Sequence, residues 1–480
     1  MRIFLLVLIV SCQVFAQGLI HEDITKQAIV KIYTVSKVPN YQEPWNSTMQ
    51  RSTGSGTIIT GNRILTNAHV VANQTFLEVQ RYGERKRYIA KVLSVSHQAD
   101  LALLSVEDSR FFEGVKPVEL GELPQVEQQI VVYGYPMGGD TLSATIGVVS
   151  RIEHQVYAHS GESFLAIQVD AAVNPGNSGG PALSDGKIVG VVMQVISKSQ
   201  NIGYLVPVSM VRHFIEDMED GHYDGFADLG VITQNLENPS LRRYYHLDEN
   251  VTGKLVDTIV YNSTLKNVIR PGDILTAVDD HQIEDDGTVA FRDDEYTSFH
   301  YFIDQHQMGD RVKLDILRDQ KKLQVEAILK QTADDILLVD TIQYDTMPRY
   351  FIYGGYVFSP LSRNLLLSTN VNRVQLNCYA TQWATEKKKE VVVLLKVLAS
   401  DISRGNYGFA MWPIEKINGE TFDSFQTFYE KMQSFKGQYI VLEDEEGAKL
   451  VIDKQEALDK QNEILQKYNI EFGRSVDLRQ

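Results

Sequence analysis

Over its first two hundred residues the chain alternates short apolar runs with polar breaks marked by glycine and proline. The runs are too short and too evenly spaced for helices. Residues 57–65, 75–80, 88–95 and 101–106 read as strands of one β-barrel. Residues 129–135, 143–152, 164–170, 180–182, 187–195 and 203–207 read as strands of a second. Residues 208–218 mix apolar and acidic positions in the manner of a closing helix. Residues 37–52, polar and aromatic, read as a short loop. From Tyr223 the pattern changes to mixed strand and helix, first over 223–332, where 297–306 carry helical apolar spacing. A second such unit covers 340–480, with a buried-strand run at 391–397 and helices at 422–432 and 454–468. The last of these is charged and amphipathic, a solvated cap.

Three polar segments interrupt the barrel pattern where chemistry is expected. The run Asn174-Pro175-Gly176-Asn177-Ser178-Gly179-Gly180-Pro181 sets a serine between glycines and between two apolar strands. Alone it also fits an ordinary surface loop. Thr66-Asn67-Ala68-His69-Val70-Val71 places a histidine at a strand end, and Gln98-Ala99-Asp100-Leu101-Ala102-Leu103-Leu104 places an aspartate where a polar loop meets an apolar run. A serine hydroxyl needs an imidazole to take its proton, and the imidazole needs a carboxylate to fix its tautomer. His69, Asp100 and Ser178 supply these parts in the order of the chymotrypsin double barrel; α/β-hydrolases run Ser, Asp, His. Gly176 has access to dihedrals closed to other residues, so its N–H and that of Ser178 are expected to point together at a developing oxyanion.

These segments resemble those of the trypsin-like HtrA/Deg serine proteases, and the resemblance runs into PDZ-type modules downstream, in the order found in the two-PDZ branch. It implies a mostly β chain with a chymotrypsin-like double β-barrel protease domain over 20–220. Two PDZ-type α+β modules follow, at 223–332 and, in degenerate form, at 340–480. It further implies ATP-independent endoproteolysis of unfolded or damaged proteins, PDZ-assisted regulation and a homo-oligomer built on trimers or larger. The positions matching the family's primary pocket are Val173, Val195 and Ile202, whose branched walls favour small aliphatic side chains with loose selectivity. Asp228-Leu229-Gly230-Val231 stands where a PDZ module binds a peptide carboxylate, so Leu229, Gly230 and Val231 are the expected contacts for C-terminal peptides. Arg270-Pro271-Gly272-Asp273 matches the turn at the centre of such a module, and His281 departs from its usual glycine. In the last module Ile414 to Glu420 echoes a strand and Asn-Gly turn, and assembly is its expected role.

Composition narrows the rest. With 43% apolar and 22% charged residues among 480, the chain is an ordinary globular protein of two or three domains. Its net charge of -16 argues against a nucleic-acid partner. The eleven histidines show no metal-ligand spacing, so neither metal nor other cofactor is expected. Arg2 precedes an apolar run at 3–10 too short to span a bilayer, and Val14-Phe15-Ala16 fits a signal-peptidase site. Residues 1–16 therefore read as a removed export signal, placing the protein in a periplasm. A lipobox-like Ile9-Val10-Ser11-Cys12, with Cys12 lipidated, is the alternative. After cleavage only Cys378 remains, which excludes an intrachain disulfide. The sequons at Asn46, Asn73, Asn250 and Asn262 are read as chance.

Overall fold

A computed structural model describes residues 25–137, 139–195, 202–368 and 374–479. The expected signal peptide and Cys12 lie outside the described residues.

Twelve strands form two closed six-stranded barrels. The first runs β1-β2-β3-β6-β5-β4, from β1 (Ile29–Pro39), β2 (Ser47–Ile59), β3 (Arg63–Thr66), β4 (Gln74–Arg81), β5 (Tyr88–Ser96) and β6 (Leu101–Val106). The second runs β10-β11-β12-β9-β8-β7, from β7 (Gln129–Gly134), β8 (Ser143–Val156), β9 (Ser163–Val169), β10 (Pro181–Ser184), β11 (Lys187–Val195) and β12 (Gly203–Pro207). Closure leaves no edge strand to pair with strangers. Two of the expected first-barrel features change. Residues 57–65 split into the end of β2 and β3, because Gly61 (φ 82°) and Asn62 (φ 55°) turn the chain through the left-handed region. Residues 37–52 are not a loop. Pro39 pairs with Ser47, and the β1–β2 ladder continues without a break to Ile29 opposite Thr57.

The inside of the second barrel is aliphatic: Ile130, Val132, Val149, Leu165, Ile167, Val169, Val189 and Leu205 are all buried. Its outer face packs with the first barrel in a single cluster, which also takes Met210, Val211 and Phe214 from the closing helix Val208–Asp217. The expected active-site cleft thus falls between two bodies that share one core.

The first C-terminal module is a sheet in which Val231–Asn235 (β13) forms one edge, followed in order by Lys254–Ile259, Ile274–Val278, Arg311–Arg318 and Lys321–Ile328, with His281–Gln282 pairing Ile274–Val278. The expected helix at 297–306 is shorter. Thr297 pairs with Val289 in a hairpin, and only His300–Ile303 is helical. The reason is a docking contact. His154 of the second barrel bonds Thr297 Oγ1 (2.9 Å) and the buried Asp304 carboxylate (3.4 Å), while Phe291 and Tyr301 pack on the barrel's core. The second module holds two four-stranded sheets around Phe351, Phe358, Phe425, Phe428 and Met432. Asn418 (φ 49°) and Gly419 (φ 83°) make the tight turn expected of an Asn-Gly pair. The tip of the β1–β2 hairpin wedges against this module through Tyr41 and Trp45, and Gln42 Nε2 donates to Ser368 O (2.6 Å).

Candidate active site

His69 sits on a one-turn helix, Ala68–Val71, directly after β3. Gly54 in β2 makes room for this turn, since a Cβ there would lie 2.6 Å from Val70. Asp100 occupies the bend between β5 and β6 with φ 54°, a conformation aspartate tolerates better than most residues. Asn67 Nδ2 donates to its carbonyl at 2.8 Å. The buried Asp100 carboxylate then holds His69 twice: Oδ1 accepts the His69 backbone N–H (2.9 Å) and Oδ2 lies 2.7 Å from Nδ1. The tautomer is thereby fixed, with Nδ1–H donating to the Asp100 carboxylate and Nε2 left unprotonated. The ring remains one-third exposed to the cleft. Burial pulls the His69 pKa down, but the charge and hydrogen bond of Asp100 outweigh it and hold the value above that of a free imidazole.

The Ser178 loop crosses between the barrels and is stitched to both. Gly179 N–H donates to Val192 O and Val192 N–H to Gly180 O, each at 2.9 Å. From the first barrel, fully buried Ser55 supplies three further ties. Its N–H donates to Ser178 O (2.9 Å), its Oγ donates to Gly176 O (2.7 Å), and the same Oγ accepts the Tyr135 N–H (2.8 Å). Nothing in the pattern of residues 52–57 singles Ser55 out; only the approach of the two barrels makes it a hub. Gly176 takes φ 99°, and a Cβ there would stand 2.4 Å from Tyr135 O and 2.8 Å from Met137 N. Pro175 O is held outward by Met137 N–H at 2.7 Å. Among the described residues no acceptor engages the N–H of Gly176 or of Ser178. Ser178 Oγ donates to Met193 O at 3.4 Å, and no hydrogen bond yet joins it to His69. Such contacts commonly tighten only when substrate binds.

The other expected site residues are dispersed. Val173 is half-buried on the second barrel's core and touches the position where Gly203 lacks a side chain. Val195 ends β11 opposite Gly203, its side chain outside the described residues. Ile202 packs on the shared core of the barrels. In the first module Leu229 is buried and Val231 half-buried against the same core. Asp228 Oδ1 already accepts the Gly230 N–H at 2.7 Å. Among the described residues no group of three or more His, Cys, Asp or Glu side chains is placed to hold a metal.

A trypsin-like peptidase domain model matches residues 54–191, and a PDZ domain model matches residues 339–477. Protease Do-like 4, mitochondrial, of Arabidopsis thaliana is 36% identical over 457 residues, covering 95% of this chain and 86% of its own length. The chain belongs to the Do-like (HtrA/Deg) protease family. Protease Do-like 2, chloroplastic, of the same plant is 37% identical, covering 96% of this chain and 76% of its own. The HtrA-type protease AlgW, solved with a decapeptide, shares the fold over 65% of this chain with a TM-score of 0.50 at 22% identity. The protein is therefore a serine hydrolase of the Do-like type carrying a PDZ domain. The expectation of an exported, periplasmic protein is overturned. Relatives aligned along nearly its full length are named for mitochondria and chloroplasts. One arginine and eight apolar residues are too slight a signal to separate export from other N-terminal targeting.

Proposed function

We propose that His69, Asp100 and Ser178 form a catalytic triad that cleaves unfolded or damaged proteins without ATP, in an organellar setting like that of the named relatives. The observation that carries the reading is the double grip of Asp100 on His69, which leaves Nε2 as the proton acceptor facing the cleft. In the acylation step Ser178 Oγ attacks the scissile carbonyl and its proton passes to His69 Nε2. The Gly176 and Ser178 N–H groups receive the oxyanion. The imidazolium then gives its proton to the leaving amine, and water repeats the sequence to release the acid. Asp100 stays ionised throughout and stabilises the cation.

The residues expected at the primary pocket, Val173, Val195 and Ile202, are all aliphatic and include no acid to favour Lys or Arg, so small aliphatic side chains are the expected preference. The exposed edge of β13 receives peptides by strand addition beside Leu229, Gly230 and Val231; AlgW, of like fold, was itself solved with a decapeptide. Homo-oligomeric assembly through the last module completes the reading.

Digestion of an unfolded protein such as reduced casein, set beside the same protein folded, tests it. Wild type degrades the unfolded form selectively, and Ser178→Ala or His69→Ala loses about 10⁶-fold in turnover. Equal digestion by Ser178→Ala would remove the triad from the account.

A further inference from the structure

The segment joining the two C-terminal modules returns to the protease domain and meets the turns following His69 and preceding Asp100, together with the β8–β9 turn at His159. Asp345 Oδ1 accepts the N–H of Asn73, four residues after His69, and Asn73 Oδ1 accepts the Asp345 N–H at 2.8 Å. Asp345 Oδ2 lies 2.8 Å from Nε2 of His97, three residues before Asp100. His97 Nδ1 in turn lies 2.9 Å from His159 Nε2, and the His159 ring stands 6.1 Å from that of His69. The neighbouring Tyr344 stacks on both imidazoles, at 3.9 Å from His159 and 4.7 Å from His97, and its hydroxyl donates to His159 O at 2.7 Å.

We propose that Tyr344 and Asp345 are positioning residues for the His69–Asp100 pair, so that the catalytic centre is complete only with the inter-module segment docked against it. The proposal rests on the triad reading above. Three observations carry it. The pair of residues touches the chain on both sides of the His69–Asp100 hydrogen bond, through Asn73 and His97, with no other side chain making both contacts among the described residues. Asp345 holds φ 59°, a conformation that costs free energy in a non-glycine residue and persists where the surroundings enforce it. His159 is nearly buried behind His69, and burial pushes its pKa down to about 4, so a neutral ring fills the wall behind the general base. Tyr344 is what covers that ring from the solvent side. Because proton transfer from Ser178 to His69 needs near-attack geometry, a shift of about 1 Å in the His69 turn costs up to 10²-fold in rate.

The consequence is a physical link from the last module to catalysis. The hairpin tip at Tyr41 and Trp45 and the segment at Tyr344 and Asp345 are two separate attachments between the protease and the region beyond residue 332. Loss of the second would relax the turn bearing His69 and uncover His159 in the β8–β9 turn, while removing no contact made by Val173 or Ile202.

The test uses the full chain and a valine-ending peptide p-nitroanilide, with active sites counted by a fluorophosphonate burst. Tyr344→Ala and Asp345→Ala are each expected to lower kcat per titrated site by roughly 10- to 100-fold with KM unchanged. Tyr344→Phe keeps the stack and Asp345→Asn keeps the acceptor for Asn73, so each should recover most of that loss. Unchanged kcat per site in both alanine variants would overturn the proposal, as would a loss expressed in KM alone or only in the number of titratable sites. Failure of the triad reading would look different: wild-type hydrolysis would then survive Ser178→Ala, whatever the Tyr344 variants do.

Discussion

Gly176→Ala is the substitution on which the geometry speaks most directly. At φ 99° an L-residue is strained wherever it is placed, at about 1–2 kcal/mol. The added methyl would also meet Tyr135 O at 2.4 Å, Met137 N at 2.8 Å and Pro136 C at 3.0 Å, all of them backbone atoms that no side-chain rotation can clear. The least costly escape is to turn the Pro175–Gly176 peptide. That breaks the Met137 N–H to Pro175 O bond, worth about 1 kcal/mol, and swings the Gly176 N–H away from the cleft. The total is a stability loss of about 2–3 kcal/mol and the loss of one oxyanion donor, about 10²–10³ in kcat. Thermal unfolding gives the first figure and saturating peptide hydrolysis the second. A folded Gly176→Ala enzyme with kcat within about threefold of wild type would refute the role given to this N–H.

Three further outcomes are expected. Because Asp100 holds the His69 pKa above its ordinary value of about 6.5, kcat/KM should rise with pH through a midpoint above 6.5 and then level off; activity that stays flat down to about pH 5 would remove His69 as the base. Glu162, pushed up to about 7 chiefly by burial against the opposing pull of its bond from Gln98, has a folded pKa above its ordinary 4.5. Its contribution is favourable below pH 4.5 and is lost as pH rises to 7, so Glu162→Gln should raise Tm at pH 8 and not at pH 4.5. The effect is about 1–2 kcal/mol once solvent screening is allowed for, and equal shifts at both pH values would contradict it. Asp228→Ala frees the Gly230 N–H and removes a like charge, so by fluorescence anisotropy it should tighten peptides with a free apolar C-terminus and leave their amides unchanged; parallel changes in acid and amide would count against carboxylate capture there.

The His69–Asp100 contact and the Ser178 loop between the barrels were legible because each segment is announced locally. His69, Asp100 and Ser178 lie in short segments where a polar residue interrupts an apolar strand pattern, and their chain order selects one fold among several. The barrels were legible for the same reason, since ten of the runs alternate or cluster as strands must. β1 escaped because its sequence does not alternate: Lys31, Thr34 and Ser36 are buried beside Ile29, Val30 and Ile32, so both faces are covered and the polarity pattern carries no period. The hairpin at 37–52 escaped because its exposed strand is polar and its tip is stabilised by a module three hundred residues away. Distance in sequence also hid Ser55, Tyr344 and Asp345, whose partners lie between 80 and 272 positions off. The short helix at His300–Ile303 shows the converse. Its helical spacing was real, but the hairpin register and the contact with His154 prevailed over propensity.

The central claim is that Ser178 Oγ is a nucleophile activated by His69. Its most direct test is covalent: the full chain is treated with a fluorophosphonate and the modified peptide located by mass spectrometry. The account predicts a single adduct on Ser178, formed at a rate that rises with pH alongside kcat/KM and lost in His69→Ala. An unlabelled Ser178, or labelling as fast in His69→Ala as in wild type, would contradict it.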